Sequence, residues 1–534
     1  MGSGAMTNPI PDLGNAQCIF IIGSNLTENH PIVSQWVLDA KESGAKIIAA
    51  DPRYTPTVWM ADIFLQLKPG TDIALLNGLM HIIIKEKLYN QDFINRRTTG
   101  FAQLQEAVEE YDPSMVEEIT GVSSHLLREA AGLYAQAKAA GIVYCMGITQ
   151  HTCGHDNVLS CSNLALLCGQ VGRPGTGVLP LRGQTNVQGA CDMGALAGFL
   201  PGYVNVADPN GRERIARLWG RENLPDQPGL TVVEMMNAAW EGKIKGIYVM
   251  GENPLVSDPH SHHVEEALKK LDFLVVQDMF LSETAQLAHI VLPAASWVEK
   301  EGSLTNTERR VQWARKAIHP IDETKADWQI ICQVANQLGL QYNYACPEDI
   351  LHEINKVIPA YSGITPERIK GRAGGLIWPC PTFDHPGTPI LHSETFRTAD
   401  GLGKFIPVKH QPPAELTDEE YPLLLTTGRV VMHYNAGSMT RRSAPLLKRS
   451  PELFVEIHPR DARKLGISAH EEVKIITRRG DTLARANITS KLSPGIVFMP
   501  FHFAGTNILT IDALDKRAKI PEFKVAACRI TKNI

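Results

Sequence analysis

The chain of 534 residues has room for three or four domains at roughly 150 residues each, and 44% hydrophobic against 20% charged residues is the balance of an ordinary globular protein, which excludes a disordered, collagen-like or tail-like chain. Lys+Arg 52 against Asp+Glu 57 gives a formal net charge of -5, with no basic surplus to neutralise a phosphate backbone, so nucleic acid is excluded as the principal partner. The longest apolar runs, IYVMG and FLVVQ, are strand-sized beside the ~20 residues that cross a bilayer, and MGSGAMTNPIPDLGN lacks the basic and apolar regions of a signal peptide, so the chain reads as cytoplasmic without a membrane span.

In chain order, QCIFIIGSN predicts a strand and tight turn, HPIVSQWVLDAKESG a helix, AKIIAADPR a strand, and DIALLNGLMHIIIKEKL a helix with Thr71 as N-cap. Strands separated by crossover helices predict a parallel α/β sheet. A helical stretch over 103–138 leads into the strand GIVYCMGITQ, and then into glycine-rich loops from VGRPGTG to FLPGY, where backbone can approach a ligand closely.

A second α/β block echoes the first. FIIGSN (20–25) matches YVMGEN (248–253), each a strand ending in Gly-x-Asn, and the step from Asn25 to Asp51 is 26 residues where that from Asn253 to Asp278 is 25. Ala61-Asp62 and Ala288-His289 then stand 10 to 11 residues further on, before the strands IFLQL and IVLPA. Three landmarks in register predict an internal duplication. Ligands of open parallel sheets bind beyond the carboxyl ends of strands, and an acid ending the second strand accepts hydrogen bonds from ribose or base. Two nucleotide-like half-sites are therefore expected, Asn25 with Asp51 and Asn253 with Asp278. No G-x-G-x-x-G opens a helix, so a simple NAD fingerprint is absent.

A loop-rich connector, WPCPTFDHPGTPILHSETF, separates these blocks from a C-terminal region of short strands, PLLLTTGR, LFVEIHP, EVKIITRRG, TLARANITS and GIVFMPFHF, with PRDARKLG as one helix. This pattern predicts a β-barrel or sandwich. The expected divisions are 1–195, 196–380, a connector 381–414, and 415–534.

Several residues invite chemistry on their own. Lys68-Pro69-Gly70-Thr71-Asp72 opens a helix whose positive end favours an anion, beside the plain alternative of capping. His151, Cys153 and His155 have a spacing that zinc could use, but the run follows a strand in a loop position, and no metal ligand is assigned to it. The 10 cysteines include no C-x-x-C, so neither a disulfide framework nor a zinc or iron-sulfur cassette is indicated, and Cys191 reads as a small buried residue. Arg182 is an ordinary surface arginine or a fork that grips a carboxylate bidentately.

RGQTNVQGACDMGAL (182–196), the GSGAMTN start, MGITQ, MGENP, LPAASWVEKEGS and TTGRVVMHYNAGSMTRR together resemble the catalytic subunit of bacterial formate dehydrogenases, within the molybdopterin oxidoreductase family, along essentially the whole chain. The resemblance implies two pseudo-duplicated Rossmann-like domains and a C-terminal double-psi barrel around molybdenum or tungsten bis(molybdopterin guanine dinucleotide). It implies formate oxidation to carbon dioxide, or the reverse, with Arg182 orienting the substrate and His433 near the metal end. Cofactor contacts implied in the first block are Gly23, Asn25, Asp51, Arg53, Lys68, Gly70, Asp72, Gly147 and Gln150. Those implied further on are Gly183, Gln184, Gly251, Asn253, Asp278, Thr427, Arg429, Ser438, His502, Asn507 and Lys524. The GR…GSMTRR form is closer to NAD-linked than to hydrogenase-linked members.

Members of that family begin with a 4Fe-4S domain, a relaying lysine, and a metal-ligating cysteine or selenocysteine with its neighbouring histidine, and none of these is in this sequence. Selenocysteine is encoded by a stop codon, and a reading frame opened after it begins near Met1. The expected partners are the upstream half of the same subunit and an electron-transfer subunit of iron-sulfur, flavin/NAD or hydrogenase type, with the chain alone expected to be inactive. The alternatives are a nitrate reductase of the same superfamily, whose counterpart of the Arg182 motif lacks the arginine, and a non-catalytic cofactor-binding chain.

Overall fold

A computed structural model describes residues 1–533. They form two compact units, Met1–Leu181 with Val256–His262 and the chain from Ile390 onward, and Arg182–Leu255 with His263–Pro389. The units cut the chain differently from the divisions expected at 195, 380 and 414: the C-terminal region joins the first α/β segment, and the second unit begins at Arg182.

In the first unit, five parallel strands lie in the order Ile63–Leu65, Lys46–Ala50, Cys18–Ile22, Ala140–Tyr144, Gly177–Pro180. All five residues of Cys18–Ile22 are buried, as a parallel strand covered on both faces requires. Its side chains alternate: Cys18, Phe20 and Ile22 join the core under the helices Asp72–Lys85 and Gly154–Leu167, while Ile19 and Ile21 pack with Val33, Val37 and Ala40 of the helix Pro31–Glu42. Truncating Phe20 to alanine in such a core costs about 3–5 kcal/mol.

The helix at Asp72 begins where the sequence predicts, but the Thr71 hydroxyl donates to Lys68 O at 2.7 Å instead of capping the first turn. The stretch 103–138 is three helices, Phe101–Val108, Pro113–Thr120 and Ser124–Gln136; the Asp112 carboxylate caps the second, and Gly121, at φ 80°, ends it.

The second unit contains the parallel strands Gly246–Met250, Phe273–Asp278 and Ile290–Pro293, with Phe273–Asp278 central. They repeat the connectivity of Cys18–Ile22, Lys46–Ala50 and Ile63–Leu65. Gly23 (φ 56°) donates its N–H to Ala50 O at 3.0 Å, and Gly251 (φ 63°) donates to Gln277 O at 2.8 Å. Thr57 Oγ1 donates to Asn25 Oδ1 at 3.4 Å, and Thr284 Oγ1 to Asn253 Oδ1 at 2.8 Å. Asp62 Oδ2 accepts Ile47 N–H at 2.8 Å where His289 Nδ1 accepts Leu274 N–H at 2.9 Å. The duplication is thus a structural repeat in which the same positions do the same backbone work, Asp62 and His289 doing it with different side chains.

This second sheet differs from the first in exposure. Tyr248, Met250, Phe273 and Ile290 are 43–51% exposed, which is unusual for a parallel sheet.

Returning to the first unit, Leu423–Gly428, Ile496–Pro500, Phe454–Ile457, Gly480–Ile488, Glu472–Thr477 and Ala526–Lys532 close into a barrel in that order, leaving no open edge. The helix Pro459–Leu465 falls on PRDARKLG. Ala526–Lys532, absent from the sequence-based expectation, closes the barrel by pairing with both Leu423–Leu425 and Val473–Ile476. Among the described residues no helix is long and apolar enough to cross a membrane.

Candidate functional site

Strand order in the first sheet reverses between Cys18–Ile22 and Ala140–Tyr144. The crevice beyond the carboxyl ends at such a switch point is where open α/β sheets bind ligands. Here the two strand-end turns meet backbone to backbone: Gly147 N–H donates to Gly23 O at 3.0 Å, and a Cβ on Gly147 would lie 2.6 Å from Gly23 Cα. Only glycine fits either position.

A cleft opens at this junction. Gly23, Ser24, Asn25, His30, Asp51, Arg53, Thr55, Gly70, Asp72, Cys145, Met146 and Gly147 line it from the sheet side, and Thr426, Thr427, Arg429, Phe498, Phe501 and Lys524 from the barrel of the same unit. About 110 Å³ is accessible to water, several times the ~10–15 Å³ that admits a single molecule. It is a built polar site and no packing defect.

The cations divide into two kinds. Arg53 is neutralised: its Nε and Nη2 donate to Glu456 at 2.6 and 2.8 Å, and its guanidinium lies 4.3 Å from the Phe498 ring centre. Arg429 is not. Its Nη2 reaches only Met146 Sδ at 3.7 Å, its guanidinium lies 5.5 Å from the Phe501 ring centre, and its buried Nε has no hydrogen-bond partner. Lys524 Nζ donates to Thr427 O at 2.8 Å, and burial followed by the nearby Arg429 charge pushes its pKa down to about 8.

Among the described residues neither Arg429 nor Lys524 forms an ion pair with a carboxylate. Two buried cations side by side are unfavourable, Asp51 and Glu522 offset the charge of Lys524 only in part, and a bound anion would complete the compensation. Ser24 Oγ and Thr55 Oγ1, buried in the same cleft, also lack hydrogen-bond partners. Asp51, whose Oδ1 accepts Arg53 N–H at 2.9 Å, is pushed by burial up to about 6 against the opposing pull of Arg53 and Lys524.

Two histidines brace the cleft. Burial would depress His151, but Glu522, 3.0 Å from Nδ1, and Asp72, 3.8 Å from Nε2, outweigh it and hold the ring at about 8. His502 donates from Nδ1 to Asn435 O at 2.6 Å and accepts Val430 N–H on Nε2 at 2.9 Å, pinning both ends of the loop that follows Arg429. Burial and the Arg429 charge lower its pKa to about 4.

Ten of the sequence-predicted residues therefore meet in one cleft: Gly23, Asn25, Asp51, Arg53, Gly70, Asp72, Gly147, Thr427, Arg429 and Lys524. Other residues expected to contact the cofactor have these partners in the chain. Lys68 Nζ donates outward to Glu118 O at 3.1 Å, and Gln150 meets Phe523 N–H through its carbonyl. Asn507 donates to Val256 O and Ser257 O at 2.7 and 3.1 Å, fastening that segment to the barrel. Ser438 O accepts from Arg442. His433 gives Nε2–H to Ser450 O at 2.8 Å and sets Nδ1 3.2 Å from Thr440 Oγ1, so neither nitrogen is left for a reacting group. The rings of His151 and His155 turn to Glu522 and Asp156, not toward one metal position.

In the second unit, Asn253 is buried and takes the Thr284 N–H and hydroxyl on Oδ1, while Asp278 Oδ1 accepts Phe280 N–H at 3.2 Å, the counterpart of Asp51 and Arg53. Gly251 is the exposed strand-end turn of this repeat, and Arg182, Gly183 and Gln184 are half-buried at the start of the unit.

Ser24, Thr55 and Glu456 went unnoticed in the sequence. Glu456, an acid inside the apolar strand FVEI, was a readable signal, because buried acids need partners. The hydroxyls carried none.

Against known families, residues 2–337 match molybdopterin oxidoreductase. The chain belongs to that family. Residues 423–527, nearly the whole barrel, match the molydopterin dinucleotide binding domain.

Among relatives of this molybdopterin oxidoreductase is the F420-dependent formate dehydrogenase 1 subunit alpha of Methanococcus maripaludis, 52% identical over 99% of the chain and 78% of that protein. Formate dehydrogenase H of Escherichia coli is 40% identical over 99% and 75%. The assimilatory nitrate reductase catalytic subunit of Bacillus subtilis is 41% identical over 98% and 76%. Acetylene hydratase from Pelobacter acetylenicus superposes with a TM-score of 0.80 at 20% identity, covering 99% of the chain and 80% of that structure, a likeness of fold alone.

Proposed function

We propose that the chain is the cofactor-binding portion of a formate dehydrogenase catalytic subunit, oxidising formate to carbon dioxide with release of two electrons and a proton, or running the reverse. The observation that carries formate is the 52% identity along 99% of the chain to a formate dehydrogenase alpha subunit, against 41% for the nitrate reductase. Arg182 supports it chemically, since a guanidinium fork matches a carboxylate.

The residues present fit a pterin dinucleotide. Arg429 and Lys524 offer buried positive charge outside any carboxylate ion pair for its phosphates; Ser24 and Thr55 offer hydroxyls; Asp51 offers an acceptor for ribose or base; and Gly23 with Gly147 allows close backbone approach. Asn253 and Asp278 repeat Asn25 and Asp51 and support the reading of a second dinucleotide, in a cofactor of the bis type with molybdenum or tungsten. When bound, the metal-pterin group accepts the two electrons of formate. The chain's own residues hold it, neutralise its charge and orient the substrate.

The remaining upstream part of the same subunit, with its 4Fe-4S cluster, is the first partner. The relative spans further sequence, since the chain covers 78% of it, and the exposed apolar strands Gly246–Met250 and Phe273–Asp278 suit a covering segment. Electrons then pass to an iron-sulfur, flavin or hydrogenase-type subunit; the names of relatives at 48 to 52% identity add F420 as the acceptor. Formate-dependent dye reduction by the full-length subunit, beside nitrate reduction, tests the assignment.

A further inference from the structure

The strand Gly246–Met250 is an edge of the second unit's sheet. Lys245 O accepts Phe273 N–H at 3.1 Å and Gly251 N–H donates to Gln277 O at 2.8 Å, so both positions turn toward the neighbouring strand Phe273–Asp278. Main-chain groups of an extended strand alternate sides. Ile247 and Val249 therefore turn the same way, and Gly246, Tyr248 and Met250 direct N–H and C=O outward. Among the described residues no strand pairs with that side.

The repeat in the first unit has a strand at the equivalent place. Laying FIIGSN on YVMGEN sets Cys18–Ile22 on Gly246–Met250 residue for residue. Cys18, the counterpart of Gly246, donates away from Lys46–Ala50 to Ala139 O at 3.2 Å. Its strand pairs in parallel with Ala140–Tyr144, Cys18 opposite Ala140 and Ile22 opposite Tyr144.

The two edges of the second sheet are also unlike. Ile290–Pro293 ends in proline, and beyond it Ala294 bridges to Lys325 while Ala295 N–H donates to Lys325 O at 2.8 Å. GIYVM has no charge and no proline, and its register with Phe273–Asp278 runs without a bulge. Native edges carry such guards against further pairing, and this one has none. Val249 packs with Met236, Val264 and Leu268 on one face, while Tyr248 and Met250 are exposed on the other.

We propose that a strand from the remaining upstream part of the subunit pairs in parallel with Gly246–Met250, in the place that Ala140–Tyr144 takes beside Cys18–Ile22. That occupant rests on the reading of the chain as part of a longer formate dehydrogenase subunit, whose relative extends beyond the 78% that the chain covers. A short apolar run bounded by turns fits the edge, because a parallel strand buried on both faces is continuously apolar.

The test uses the full-length subunit and hydrogen exchange resolved to single amides. Tyr248 and Met250 are expected to exchange as slowly as their counterparts Phe20 and Ile22, within about tenfold. Met250→Pro removes one outward donor and leaves the ladder to Phe273–Asp278 complete, since an edge tolerates proline where its N–H faces away. With a strand docked there, it is expected to speed exchange at Tyr248 about tenfold or more. Met250→Ala keeps the donor and changes exchange far less. Photo-reactive p-benzoyl-phenylalanine in place of Tyr248 is expected to cross-link to the upstream part of the same chain, read by peptide mass.

Exchange at Tyr248 and Met250 as fast as in an exposed loop overturns the inference, as do equal effects of Met250→Pro and Met250→Ala. Cross-links confined to residues 1–533, or made to a second copy or another subunit, overturn it too. If Met250→Pro does not fold, the exchange of the unaltered subunit and the cross-link decide by the same criteria. Formate turnover is read separately: turnover with an unpaired edge removes only the strand, whereas a paired edge in a subunit without formate turnover removes the proposed activity and leaves the strand.

Discussion

Arg53 and Glu456 form a bidentate ion pair of 2.6 and 2.8 Å, while Arg429, in the same cleft, has a buried Nε with no partner. One guanidinium is closed on the fold, and the other is the proposed anion site.

Opposite mutational outcomes follow. Breaking a buried pair leaves its survivor uncompensated, so Glu456→Gln is expected to lower unfolding stability by about 3–5 kcal/mol. Arg429→Met removes a buried charge that costs stability until an anion binds, and is expected to leave the cofactor-free protein no less stable while abolishing cofactor retention. Denaturant unfolding and pterin fluorescence of the purified protein read the two effects.

His151 gives the fold a pH dependence. Its folded pKa of about 8 lies above the ordinary imidazole value of 6.5, so its pairing with Glu522 and Asp72 contributes fully below about pH 6.5 and is lost as pH rises through about 8, a change of roughly 2 kcal/mol. Unfolding of His151→Gln and the unaltered protein at pH 6 and pH 9 should show the larger difference at pH 6. Equal differences would contradict the pairing.

His502 is neutral at ordinary pH and makes two hydrogen bonds to the loop after Arg429. His502→Ala strands the Val430 N–H and the Asn435 carbonyl and is expected to cost about 2–4 kcal/mol. With Arg429 no longer steadied, pterin content should fall too. Because the imidazole stays neutral, the loss should be the same at pH 6 and pH 8.

The exposed strands Gly246–Met250 and Phe273–Asp278 should gain amide hydrogen-exchange protection when the upstream segment is supplied. Unchanged exchange there would leave that face without the proposed cover.

Much of this was legible beforehand. Asn25, Asp51, Asn253 and Asp278 stood in register because each repeat needs the same backbone turn at its strand ends, and turns leave a spacing in the sequence. The five apolar barrel strands were equally plain. Ala526–Lys532 was not, since AACRITK alternates too weakly and is decided by its two neighbours. The roles of His433 and His502 were hidden for a related reason: a histidine's function depends on what its two nitrogens meet, and Ser450, Asn435 and Val430 are brought there only by folding. Asp192 and Tyr361, 169 residues apart, could not be paired from the chain at all.

The most direct measurement is formate-dependent dye reduction by the full-length subunit with its cofactor, beside nitrate reduction and the Arg182→Ala variant. The account predicts formate turnover that Arg182→Ala loses by orders of magnitude, with no nitrate turnover. Nitrate reduction in its place, or formate turnover undiminished in Arg182→Ala, would contradict it.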